Sequence, residues 1–113
     1  MKSKIVSLSS NQEFKEMLKG KKKSNKYFTI FFKKLSNKDQ DKLNISFVTK
    51  KKLGNAVCRN RVKRKLRDIT NQAIKELSLK LNYSYLIIAK ENIINQKYLN
   101  IKKAMFCEFN KIK

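Results

Sequence analysis

Hydrophobic and polar residues follow two different periods along this chain, and the change from one to the other marks out its elements. In "YFTIFFKKL", from Tyr27 onward, aromatic and β-branched residues crowd together. A period of two sets Phe28, Ile30 and Phe32 on one face and Tyr27, Thr29 and Phe31 on the other, which is a strand. "LNISFVT" repeats the pattern with Leu43, Ile45 and Phe47 on one face. The polar run "SNKDQDK" between them reads as a turn, so the two strands are expected to pair as an antiparallel hairpin.

From about Ala56 to about Leu81 the period lengthens. Val62, Leu66, Ile69, Ala73 and Leu77 recur at spacings of four, three, four and four, the core-facing stripe of a long helix. Gly54-Asn55 precedes it as a break with a ready N-cap in Asn55. "YSYLIIAK" is a nearly continuous apolar run, as in a strand buried inside a sheet. A last helix is expected from about Gln96 to Lys111, with Ile101, Met105, Phe109 and Ile112 inward and Tyr98 one turn earlier. Near the start, "NQEFKEMLKG" reads as a short helix with Asn11 as cap, Phe14, Met17 and Leu18 on one face and Gly20 at its end. "KKKSNK" follows as a basic turn. The fold class is therefore α+β: a single domain over residues 1–113, a small sandwich of one sheet with helices packed on it.

Composition narrows the function. Eight acids against 29 bases leave a net charge of +21, which repels itself in a compact chain and suits a polyanion. Nucleic acid and an anionic membrane surface are the candidates. No apolar run is long enough to span a bilayer, and "MKSKIVSLSSNQEF" lacks the apolar stretch of a secretory signal. Cys58 and Cys107 stand far apart, with no CxxC and no His, so a zinc site is not expected and two free thiols fit a reducing cytoplasm. The commonest general base is missing, and the acids are scattered: Glu13, Glu16, Asp39, Asp41, Asp68, Glu76, Glu91 and Glu108. Gly20 and Gly54 are the only glycines, so there is no glycine-rich phosphate loop. The expectation is a chain with no catalytic residue and no metal site of its own.

The choice of cation is the sharpest signal. The chain has 25 lysines and four arginines, and Arg59, Arg61, Arg64 and Arg67 all fall within nine residues of the long helix. Asn60, Lys63, Arg64 and Arg67 share one stripe beside the apolar one, and Arg61 and Lys65 widen it. Lysine suffices for general attraction to phosphate, whereas the planar guanidinium donates two hydrogen bonds to one phosphate or stacks on a base. The cations also stand near a helix N-terminus, where they oppose the macrodipole and a bound anion would offset the cost. A phosphate-binding surface therefore outweighs the plainer reading, a solvated polar face. A membrane-surface helix is disfavoured, because its apolar side is needed for the core and no Trp or Phe flanks the basic row.

The string "KKLGNAVCRNRVKRKLR", Lys51 to Arg67, resembles the protein subunit of bacterial ribonuclease P, with the family's RNR signature at Arg59-Asn60-Arg61. More loosely, "QEFKEML", "NKYFTIFF" and "YSYLIIAK" are similar to that family's first helix, its cleft strand and a later strand. The resemblance implies an αβββαβα domain with an unusual left-handed βαβ crossover. It implies that a large catalytic RNA with bound Mg²⁺ removes the 5′ leader of precursor tRNA, and that this chain binds both RNAs in the cytoplasm without a membrane or small-molecule partner. Carried over by position, the RNA-binding helix is Arg59, Asn60, Arg61, Lys63, Arg64 and Arg67, and the loop before it contributes Lys51 and Lys52. Phe14 and Phe31 would line the cleft for the single-stranded leader, whose bases stack on such rings whatever their sequence. The chain departs from the family at Leu18, where a second aromatic is frequent, at Ser9-Ser10, where a cation is common, and at Lys50, which adds a charge in place of a small residue. Two rivals remain at this point: a small ribosomal or other structured-RNA-binding protein, and a protein-only nuclease using Asp39, Asp41 and Glu91 around a metal.

Overall fold

The computed structural model describes residues 5–6, 11–34, 43–77 and 83–112, with side chains from Lys15 onward. Within it the order is β1 (Ile5–Val6), α1 (Asn11–Leu18), β2 (Lys21–Ser24), β3 (Phe28–Lys33), β4 (Leu43–Val48), α2 (Ala56–Glu76), β5 (Ser84–Ala89) and α3 (Tyr98–Lys111). The expected αβββαβα sequence runs from α1 to α3, with the short β1 ahead of it. The strands form one mixed sheet in the order β1-β4-β5-β3-β2.

The anticipated hairpin of β3 with β4 does not form. β5 lies between them, antiparallel to β3 (Phe31 opposite Leu86) and parallel to β4 (Phe47 opposite Ile87). The reason is burial. β5 is apolar on both faces, and Leu86 and Ile87, which point to opposite sides, are both fully buried. Such a strand stabilises the fold most at the centre, whereas β3 and β4 each carry one wholly apolar face. The chain from β4 to β5 passes through α2, so this parallel pair is the crossover unit of the fold.

The basic segment after α1 is also not a turn. Lys21–Ser24 is an edge strand, antiparallel to β3 with Lys22 opposite Phe31. An edge needs only backbone pairing on one side, and its lysines discourage pairing on the other. α2 stops at Glu76 rather than near Leu81: Leu77 is extended, and its N–H donates to the Ala73 carbonyl. α3 starts at Tyr98, two residues later than expected.

One face of the sheet carries the main core. Phe28, Ile30 and Phe32 of β3, Leu43 and Ile45 of β4, and Tyr85 and Ile87 of β5 meet Val62, Leu66, Ile69 and Ala73 of α2 and Ile101, Met105 and Phe109 of α3. Tyr27 joins this core rather than the opposite face, because it precedes the strand and its hydroxyl reaches Gln96. α1 packs over β3 and β5 on the other face, where Met17 and Leu86 are fully buried. Leu18 does not share that contact and stays exposed, whereas Met17, one residue earlier on the helix, is turned down onto the strands. Gly20 is no left-handed cap. A Cβ there would stand 2.9 Å from both the Lys33 Cβ and the Phe32 carbonyl oxygen, so glycine lets the end of α1 close onto β3.

Candidate nucleic-acid interface

The strand period that buries Phe28, Ile30 and Phe32 turns Thr29 and Phe31 to the other side of the sheet. Cross-strand pairing extends this second face into rows. Lys22, Phe31, Leu86 and Ser46 form one row, and Ser24, Thr29, Ile88 and Val48 the next. α1 covers part of this face, and the rest is an open groove of about 510 Å³. Phe31, Thr29 and Ile88 line it together with Lys22, Lys50, Lys52, Lys90 and Glu91. Phe31 is thus only partly buried, in a groove that four lysines also line. Residue 14 lies on α1, over this same face, and its side chain is outside the described set.

Two local structures hold the lysines in place. In the β2–β3 turn, Asn25 Oδ1 accepts from the N–H groups of Tyr27 and Phe28 at 2.8 and 3.0 Å. The Lys90 ammonium then donates to Ser24 Oγ and to the Asn25 carbonyl, both at 2.6 Å, tying the end of β5 to this turn. In the β4–α2 connection, Lys51–Leu53 form one 3₁₀ turn, anchored by the buried Leu53. Gly54 closes it at φ 132°, a conformation that L side chains rarely adopt. Asn55 then caps α2, its Oδ1 accepting from Cys58 N–H at 2.9 Å. This turn points Lys50 and Lys52 into the groove, whereas Lys51 does not line it. Lys51 and Lys52, the pair expected to bind RNA from the loop before the helix, are both exposed, and Lys50 joins Lys52 in lining the groove.

On α2 the apolar stripe is buried and the basic stripe is free. Asn60, Arg61, Lys63, Arg64 and Arg67 are all exposed. Arg59 is half-buried, and its enclosed Nε has no hydrogen-bond partner among the described residues. No arginine of this helix forms an ion pair with a described carboxylate. Elsewhere acids are engaged. Glu16 contacts Lys33 at 2.9 Å and Lys19 at 3.7 Å, and the hydrogen bond and charge of Lys33, then the charge of Lys19, hold its carboxyl below the usual range. Both cysteines are free thiols.

Lys22, Lys50, Lys90, Thr29 and Ile88 were not legible as groove residues. Lys22 gives no signal because β2 reads as a turn, and Lys90 because its place depends on which strand neighbours β5. Of the residues proposed for a metal, Glu91 lies at the groove and Asp39 and Asp41 lie outside the described residues.

A family profile for ribonuclease P matches residues 2–113, nearly the whole chain. The ribonuclease P protein component of Mycoplasma mycoides is 33% identical over 114 residues, covering all of both chains. The chain belongs to the ribonuclease P protein family. The ribonuclease P protein component of a Bacillus cereus strain is also 33% identical, over 92% of this chain and 88% of its own. Among solved structures, the ribonuclease P protein of Thermotoga maritima superposes with a TM-score of 0.81 at 20% identity, covering 96% of this chain and 98% of its own. That of Staphylococcus aureus gives 0.77 at 23% identity, over 94% and 93%. The α+β fold is thus that of ribonuclease P proteins. As a ribonuclease P protein component, the chain is part of an endoribonuclease holoenzyme and a partner of ribonuclease P RNA, working in tRNA processing. Nothing in these relatives favours a ribosomal protein. No described helix is long and apolar enough to cross a membrane.

Proposed function

We propose that the exposed stripe of α2 grips the ribonuclease P RNA, that the groove holds the single-stranded 5′ leader of precursor tRNA, and that the RNA subunit performs the cleavage. The observation that carries this reading is the groove itself: a partly exposed aromatic ring, Phe31, in a groove lined by four lysines on the part of the sheet face that α1 leaves open. A ring takes any base by stacking, and the lysines take the phosphates between bases, which is what a leader of arbitrary sequence requires. The guanidinium forks of Arg64 and Arg67, with no described carboxylate paired to them, suit the crowded phosphates of a folded RNA. Phe14 joins the leader groove in this reading, and Arg59, Asn60, Arg61, Lys63, Lys51 and Lys52 join the RNA-binding surface.

The Mg²⁺ of the holoenzyme belongs to the RNA. Among the described residues no group of three His, Cys, Asp or Glu side chains is placed to hold a metal ion, and Asp39 and Asp41 lie outside them. The two free thiols suit a reducing cytoplasm. The test is reconstitution. Precursor tRNA is incubated with protein alone, RNA subunit alone and both, at low Mg²⁺. Cleavage is expected with both and none with protein alone. Cleavage by RNA-free protein that Asp39→Ala abolishes would establish the protein-only nuclease instead.

A further inference from the structure

Asp68 directly follows the last of the four arginines of α2. It follows Arg64 by one helical turn and Lys65 by three residues, spacings at which a carboxylate and a cation on a helix surface pair. It does neither in this structure. The Asp68 Oδ2 instead accepts from the Tyr98 hydroxyl at the start of α3 and, at 3.1 Å, from Gln72 Nε2 one turn further along α2. Gln72 also reaches the Tyr98 hydroxyl oxygen, so the three side chains close a triangle between the two helices. Both donors are neutral, so they hold the carboxylate without taking a cation from the basic row.

We infer that Tyr98 is a positioning residue for RNA binding: its hydroxyl, with Gln72, draws the Asp68 carboxylate towards α3 and so keeps the Arg64 guanidinium open to phosphate. This rests on the reading of α2 as the RNA-binding surface. Without the hydroxyl, Asp68 loses a neutral partner and turns to the cations one turn back. One phosphate site is then closed by an internal ion pair, although no RNA-contacting side chain has been changed.

The test is a cycle of Tyr98→Phe and Asp68→Asn, read as affinity for ribonuclease P RNA over a series of salt concentrations, with thermal melts to confirm that each protein is folded. Tyr98→Phe should weaken binding by about threefold and flatten the slope of log affinity against log salt by about one unit, the loss of one phosphate contact. Asp68→Asn should restore both in the Tyr98→Phe protein and change little in the wild type, where the carboxylate is already held away. Arg64→Ala should remove the effect of Tyr98→Phe. The inference is overturned if Asp68→Asn tightens binding equally in both backgrounds, or if Tyr98→Phe acts as strongly with Arg64→Ala as without it. Should Tyr98→Phe melt too low to assay, Gln72→Ala takes its place, with the same rescue by Asp68→Asn expected. If Arg64→Ala leaves RNA affinity unchanged, the reading of α2 itself fails. If Arg64→Ala weakens binding and Tyr98→Phe does not, only the role of Tyr98 fails.

Discussion

Phe31 and Phe32 are neighbours on β3 and stand on opposite sides of the sheet. Phe32 is buried, with its ring edge-on to Tyr83 at 5.7 Å between centroids. Phe31 is half-exposed and faces the groove across from Lys22. One residue's shift thus separates a ring that holds the fold from a ring available to a ligand.

This separation predicts opposite phenotypes on one strand. Phe31→Ala should weaken holoenzyme affinity for precursor tRNA by about 1–3 kcal/mol, the worth of one stacked base, and leave mature tRNA binding nearly unchanged. Its melting temperature should fall little. Phe28 is fully buried, and Phe28→Ala should cost about 3–5 kcal/mol of folding stability without selecting against the leader. Equal weakening of both tRNAs by Phe31→Ala would remove it from the leader groove.

Arg64 and Arg67 are exposed and free of described ion pairs, so replacing either by Ala should lower affinity for the RNA subunit. Each loss should flatten the salt dependence by about one unit in log–log slope. Lysine at these positions should recover only part of the affinity, because it lacks the fork. Full recovery by lysine would show that only charge matters there.

Gly54 sits at φ 132°, and a Cβ would also come within 3.2 Å of the Cys58 Cβ. Gly54→Ala should cost about 1–3 kcal/mol of stability. The same substitution loosens the turn that aims Lys50 and Lys52, so leader affinity measured on the folded fraction should fall as well. Denaturant titration and precursor tRNA binding together check this. An unchanged midpoint would mean that the turn relaxes at no cost.

The Tyr98 hydroxyl has its pKa pushed up to about 12, first by burial, then by the hydrogen bond and charge of Asp68. Above a pH of about 10 an unfolded tyrosine loses its proton while the folded one keeps it. The resulting stabilisation is present below that pH and is lost as pH rises towards 12. The urea midpoint should therefore fall across this window, and Tyr98→Phe should make the fall shallower. Tyr85, raised by burial and by Tyr83, adds a loss of the same sign in both proteins. Identical pH profiles for the two would contradict the raised value at Tyr98.

Local chemistry by itself determined most of the elements and the basic surface. The period of Val62, Leu66, Ile69 and Ala73 places the buried side of α2, and that side leaves Asn60, Arg64 and Arg67 in solvent. Asn55 caps the helix because its side chain meets the N–H of a residue only three positions on. The two faces of β3 follow from its period of two. Each of these depends on residues a few positions apart, which a linear pattern displays. Only the tertiary structure decided the order of the strands, because inserting β5 between β3 and β4 depends on burying its two apolar faces at once, a property of the assembled sheet. That order placed Lys22, Lys50 and Lys90 around Phe31, turning a strand with one spare aromatic into a groove. It is equally why the Asp68–Tyr98 contact was not legible: the two residues are 30 positions apart, on helices whose packing is set by the sheet beneath them, and neither carries a mark of the other in its own surroundings.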